Sequence, residues 1–172
     1  TTGAYNAAFG SQALFTNTTG DQNTGLGYYA LGLNTTGDSN TAVGRAALSN
    51  NTTANNNTAV GQNSLGTNST GGNNTAVGYQ ALDANTTASN NTAVGYDALG
   101  ANTTGDRNVA MGVNALLSVV THAANTAIGY EALKLNTANS NTAVGAYSLD
   151  ANTTGGDNCA FGSQALGANT TA

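Results

Sequence analysis

A nine-residue stretch, Asn74-Thr75-Ala76-Val77-Gly78-Tyr79-Gln80-Ala81-Leu82, returns with edits from one end of the chain to the other. Copies start at Asn6, Asn23, Asn40, Asn57, Asn74, Asn91, Asn108, Asn125, Asn141 and Asn158. Eight of the nine intervals are 17 residues, and one, from Asn125 to Asn141, is 16. Such a period constrains the fold more than any local propensity does. A unit this small cannot bury a core alone, so neighbouring units must stack. The 172 residues read as a single repeat domain, 1–172, of ten coils. Both ends fall inside a copy, which suggests a slice of a longer fibre.

Within the unit, position 1 is Asn, position 5 Gly and position 9 Leu in all ten copies. Position 4 is always apolar, from Phe9 to Phe161. Position 3 is Ala except at Gly25, and position 8 is Ala except at Ser64 and Ser148. Positions 12 to 15 usually read Asn-Thr-Thr-Gly, as at Asn34 to Gly37. Seventeen residues are too few for two helices and their turns. Two short strands per coil fit instead. The first covers positions 2 to 4, where Thr and Val favour extended backbone. Gly at position 5 permits a sharp bend. The second covers positions 7 to 9, and the Asn-Thr-Thr-Gly segment turns the chain. The expected fold is all-β: a parallel β-roll, or β-solenoid, of ten 17-residue coils.

Strand side chains alternate between faces. Positions 3 and 4 are both apolar, as are 8 and 9, so each strand is expected to be apolar on both sides. One face can line the inside of the coil and the other needs a cover. The residues expected in the roll core and a shared seam are Val43, Val60, Val77, Val94, Ile128 and Val144, with Leu48, Leu65, Leu82, Leu99, Leu133 and Leu149.

The chain carries three basic and eight acidic residues, a net charge of −5. That surface has no basic stripe, which argues against nucleic acid and anionic membrane as partners. No run approaches the roughly 20 apolar residues of a membrane span, so no membrane insertion is expected in this segment. Cys159, the only cysteine, excludes an intrachain disulfide framework.

The pattern Asn-Thr-Ala-Val-Gly-Tyr-x-Ala-Leu resembles the head repeats of trimeric autotransporter adhesins. It is also similar to the Asn-Thr-Ala-Val-Gly repeats of phage tail fibres and related surface fibres. The likeness covers essentially the whole chain. It implies a left-handed β-roll in an intertwined homotrimer, without enzymatic activity, acting as shaft or head in adhesion at a cell surface or on a virion. The 17-residue coil is longer than the usual adhesin repeat, through its Asn-Thr-Thr-Gly segment.

Few residues suggest chemistry. His122, the only histidine, and Cys159 assemble neither a triad nor a metal cluster, so no enzyme, metal or cofactor is expected. Cys159 stands where Thr is usual and reads as a small strand substitute. His122 belongs to a turn variant, Val119-Val120-Thr121-His122. Asp21, Asp38, Asp106 and Asp157 recur near the turn and read as solvated residues rather than a Ca²⁺ column. Tyr79, Tyr96 and Tyr130 at position 6 form either an aromatic ladder or a platform for sugar rings. Asn17, Asn34, Asn51, Asn68, Asn85, Asn102, Asn152 and Asn169 either stack as a hydrogen-bonded ladder or, as Asn-x-Ser/Thr sequons, carry glycans. The leading expectation is a fibre segment whose partner is itself. A module for a host-surface glycan or receptor is the second, and an ice-binding solenoid presenting a Thr face is the third.

Overall fold

The structure, a computed structural model, describes residues 2–171. Each copy contributes one three-residue strand: β1 (Ala7–Phe9), β2 (Thr24–Leu26), β3 (Thr41–Val43), β4 (Thr58–Val60), β5 (Thr75–Val77), β6 (Thr92–Val94), β7 (Val109–Met111), β8 (Thr126–Ile128), β9 (Thr142–Val144) and β10 (Cys159–Phe161). The ten strands form one parallel sheet in chain order. Like positions pair with like, Thr58 with Thr75 and Val60 with Val77. The register survives the 16-residue copy, where Thr126 still pairs with Thr142, because the missing residue is lost from the turn. The fold is an all-β solenoid, with no helix among the described residues.

The expected second strand is absent. Positions 6 to 11 run as a chain of turns. Positions 7, 9 and 17 hold non-glycine residues with φ between 49° and 63°, among them Gln80 at 56°, Leu82 at 53° and Asn90 at 63°. Left-handed backbone costs an L-residue about 1–2 kcal/mol. Inter-coil hydrogen bonding offsets that cost: Gln80 donates its N–H to the Gln62 carbonyl (3.1 Å), Leu82 to Ala98 (3.0 Å) and Asn90 to Gly72 (3.1 Å). The flipped residues turn their amides along the rod axis, where a neighbouring coil supplies the acceptor.

This backbone also corrects the expectation that positions 8 and 9 face opposite ways. Both point inward. Leu48, Leu65, Leu82, Leu99, Leu133 and Leu149 are fully buried, as are Ala47, Ala81 and Ala98 beside them. With the Ala file at position 3 they form the core. Only the true strand is apolar on both sides.

Gly78, at position 5, has φ +138°. A Cβ there would overlap the Gly95 carbonyl oxygen and stand 2.7 Å from its carbon, so coils approach within stacking distance only because this residue has no side chain.

Two Asn files run inside the rod. At position 1, the Asn74 side chain donates from Nδ2 to the Ala88 carbonyl of its own coil (2.8 Å), tying the coil's start to its end. Its Oδ1 accepts the N–H of Asn91 in the next coil (2.9 Å). At position 12, Asn34 donates to Gly37 O (2.9 Å) and to Oδ1 of Asn17 one coil below (2.8 Å). Val119 interrupts the second file in the seventh copy, and there Asn102 Oδ1 accepts the N–H of Gly105 instead (3.1 Å). A third file lies outside: Asp38 Oδ1 accepts the Asp21 N–H (2.7 Å), and Asp106 Oδ1 accepts that of Ser89 (2.6 Å).

Candidate functional site

The surface that stands out is the outward face of the sheet. Position 3 is buried, so positions 2 and 4 point out. Along position 4 runs an apolar file the length of the rod. Val43, Val60, Val77, Val94 and Val144 are half-buried, Ile128 is 38% exposed, Met111 40% and Phe161 69%. The residues expected to share one core therefore divide: the leucines fill the coil interior, while these valines and Ile128 line its outside. Coils are spaced about 4.8 Å, so nine spacings make a strip about 43 Å long. Three residues per strand give it a width of about 10 Å. No charged residue occupies positions 1 to 5 in any copy. A strip of this extent is as large as the largest apolar patch a soluble monomer typically exposes, and such patches are often functional.

Position-2 threonines such as Thr58 and Thr75 share this face with the valines. The Thr file is therefore one half of a mixed face, whereas ordering ice calls for a face of threonines.

Beyond the Gly bend, Tyr79 and Tyr96 stack with ring centroids 5.4 Å apart and planes 12° apart. Tyr130 meets Tyr147 edge-on at 5.3 Å. The tyrosines form pairs rather than one continuous ladder, because Val113 interrupts position 6 between Tyr96 and Tyr130. Tyr130 titrates above its usual range because of the Glu131 carboxylate beside it. Glu131 lies below its own, held by its hydrogen bond to Lys134, whose ammonium is 3.1 Å away.

Asp83 and Asp97 occupy the same wall. Burial, then the charge of Asp97, raises the Asp83 carboxyl above 3.8, against a hydrogen bond from Gln80 that lowers it. Burial alone raises Asp97. Both ionise less readily in the rod than in the unfolded chain, so the folded state holds more protons between the two pKa values. The stability they contribute is complete below pH 3.8 and is lost as pH rises through their folded pKa values. Asp83→Asn is expected to raise the urea midpoint at pH 7 and to leave it nearly unchanged at pH 3.5. Equal midpoint shifts at both pH values would contradict this.

The sequon asparagines lie inside the rod. Asn34, Asn51, Asn68, Asn85, Asn102 and Asn152 are fully buried, and Asn17 is 9% exposed. Their Nδ2 atoms, where a glycan would attach, donate to position-15 carbonyls. At these seven positions the Asn side chains are engaged in a hydrogen-bonded file within the folded rod. Asn169, in the last coil, is half-buried. Asp21, Asp38 and Asp106 are not merely solvated either, since each caps a backbone N–H of the preceding coil. The sequence reading assigned no role to the position-1 asparagines, although their presence in every copy was the signal.

Cys159 is exposed at position 2 of β10 and carries a free thiol. The His122 carbonyl accepts the Asn108 side chain (2.8 Å), while its Nδ1 is buried without a hydrogen-bond partner. Among the described residues no three His, Cys, Asp or Glu side chains gather as for a metal, and no helix is long and apolar enough to cross a membrane. A cleft near the last coils is lined by Tyr147, Asp150, Gln164, Gly167 and Ala168, which include no nucleophile–base pair. Comparison with protein-family models, with curated proteins and with solved structures finds no match.

Proposed function

We propose that this chain is a non-enzymatic structural segment of an extracellular or virion fibre, a shaft or head in adhesion, and that it works as a homotrimer. The observation that carries the reading is the uncharged outward face at positions 2 and 4, with its unbroken apolar file at position 4. Its length and width give a footprint of about 430 Å², about half of the roughly 800 Å² each partner covers in a standard interface. A file that repeats once per coil is covered along its whole length only by a surface of the same pitch, and another copy of this chain has it. Three copies around an axis close such a seam without leaving an open edge. Sedimentation equilibrium is expected to give three times the 16.9 kDa chain mass. A stable, well-folded monomer would remove the proposal.

A second reading is favoured by the exposure of Tyr79 (41%) and Tyr96 (52%) despite their stacking. Aromatic surface of this kind packs on sugar rings, and the chain would then bind a host-surface glycan or receptor. Glycan-array binding that disappears in a Tyr79→Ala, Tyr96→Ala variant would favour it. Binding unaffected by that change, or no binding, counts against it.

A further inference from the structure

We propose that the seventh copy, through Val109 and Met111, fixes the axial register in which copies of this chain associate. The proposal rests on the assembly reading above and goes beyond it, because a repetitive seam does not by itself choose an alignment.

Copies three to six present the same outward pair, Thr then Val, from Thr41 and Val43 to Thr92 and Val94. Their register in the sheet is position for position. Two such rods can slide by one coil and recover nearly the same contacts. Uniform β surfaces are weakly specified in register for this reason. A single chemically odd layer in an otherwise uniform seam removes the degeneracy, as one buried Asn does in a coiled coil.

The seventh copy is that layer. Away from the two end coils it is the one copy whose outward residues both depart from the pattern: Val109 replaces Thr, and Met111 replaces the branched residue at position 4. Met111 also stands 40% exposed, above its valine neighbours. In register, Val109 meets Val109 and every threonine on the face meets a threonine, with which its hydroxyl can pair. One coil out of register, Val109 faces Thr92 or Thr126, and those hydroxyls are covered by an apolar partner that offers nothing to bond. A covered hydroxyl without a partner is disfavoured. The end coils, where Ala7 and Phe9 or Cys159 and Phe161 also depart from the pattern, each discriminate less, because a slip carries one of each pair out of contact and leaves one mismatch where the seventh copy makes two.

The test uses the native thiol. Cys159 is exposed at position 2 of β10, on the same face, so in-register parallel copies bring their thiols together. A short bismaleimide should crosslink the wild-type oligomer through Cys159, and Cys159→Ser should abolish the product. The variant Val109→Thr, Met111→Val installs the residues the other copies already carry, and its circular dichroism should match wild type. It is expected to keep the oligomer mass while its Cys159 crosslink falls several-fold, as slipped alignments become populated. An unchanged crosslink at unchanged mass overturns the register role and leaves the assembly standing. A wild-type oligomer that does not crosslink overturns the in-register seam. A monomeric wild type overturns the assembly itself.

Discussion

Gly78→Ala is expected to lower the stability of the rod by about 3 kcal/mol or more. Holding a side-chain-bearing residue in the φ +138° region costs on the order of 1–3 kcal/mol. The new Cβ would in addition strike the carbonyl group of Gly95 in the next coil. That neighbour is backbone, fixed by its own hydrogen bond from the Gly95 N–H to Val77 (2.8 Å). Relief therefore requires separating two coils, and with them the inter-coil bonds on either side. A solenoid is held by nearest-neighbour interfaces, so a parted pair weakens the whole array. Urea denaturation followed by circular dichroism measures the effect. Gly72→Ala is the control: its φ is not positive, and its nearest obstacle is the Asn55 carbonyl oxygen at 3.2 Å. It should change stability by less than about 1 kcal/mol. Equal midpoints for the two variants would refute the role assigned to position 5.

Asn74→Leu, although it replaces a polar side chain by an apolar one of similar size in a buried site, is expected to destabilise by about 2–4 kcal/mol. Asn74 is fully buried. Its Oδ1 is the acceptor for the Asn91 N–H (2.9 Å), and nothing in leucine replaces it. An orphaned buried donor costs about 1–3 kcal/mol. The bond from Nδ2 to Ala88 O is lost too, at roughly 0.5–1.5 kcal/mol, because that carbonyl keeps a second donor in Asn85 (3.1 Å). The same substitution at Asn50, which is exposed and whose φ is not positive, should be close to neutral. An Asn74→Leu rod as stable as wild type would show that the internal amide file is not what closes each coil. The interior is thus half oil and half hydrogen-bonded amide, and both halves are needed because a coil this short cannot surround itself with apolar residues alone.

Much of this was legible before any coordinates. The period of 17 residues required stacking, and Thr-Ala-Val marked the strand at its observed place. The constancy of Leu at position 9 marked the core, as the burial of Leu82 and its equivalents shows. The outward apolar file could be read from adjacent Ala and Val, since strand alternation must send one of them outside. The Asn-Thr-Thr pattern allowed two readings at position 12, and the burial and hydrogen bonding of these side chains could not be read from it.

The arm from position 6 to position 11 was not legible. Gln80-Ala81-Leu82 has nothing in its composition that calls for alternating left-handed residues, and leucine disfavours that conformation. The choice is made by the coils above and below, which supply the carbonyls that Gln80 and Leu82 reach only with φ positive. Local sequence fixed the repeat, the strand and which residues must leave water. The sign of φ along the arm, and with it the inward aim of both Ala81 and Leu82, was decided by hydrogen bonds between residues about seventeen apart, and no local propensity contains that information.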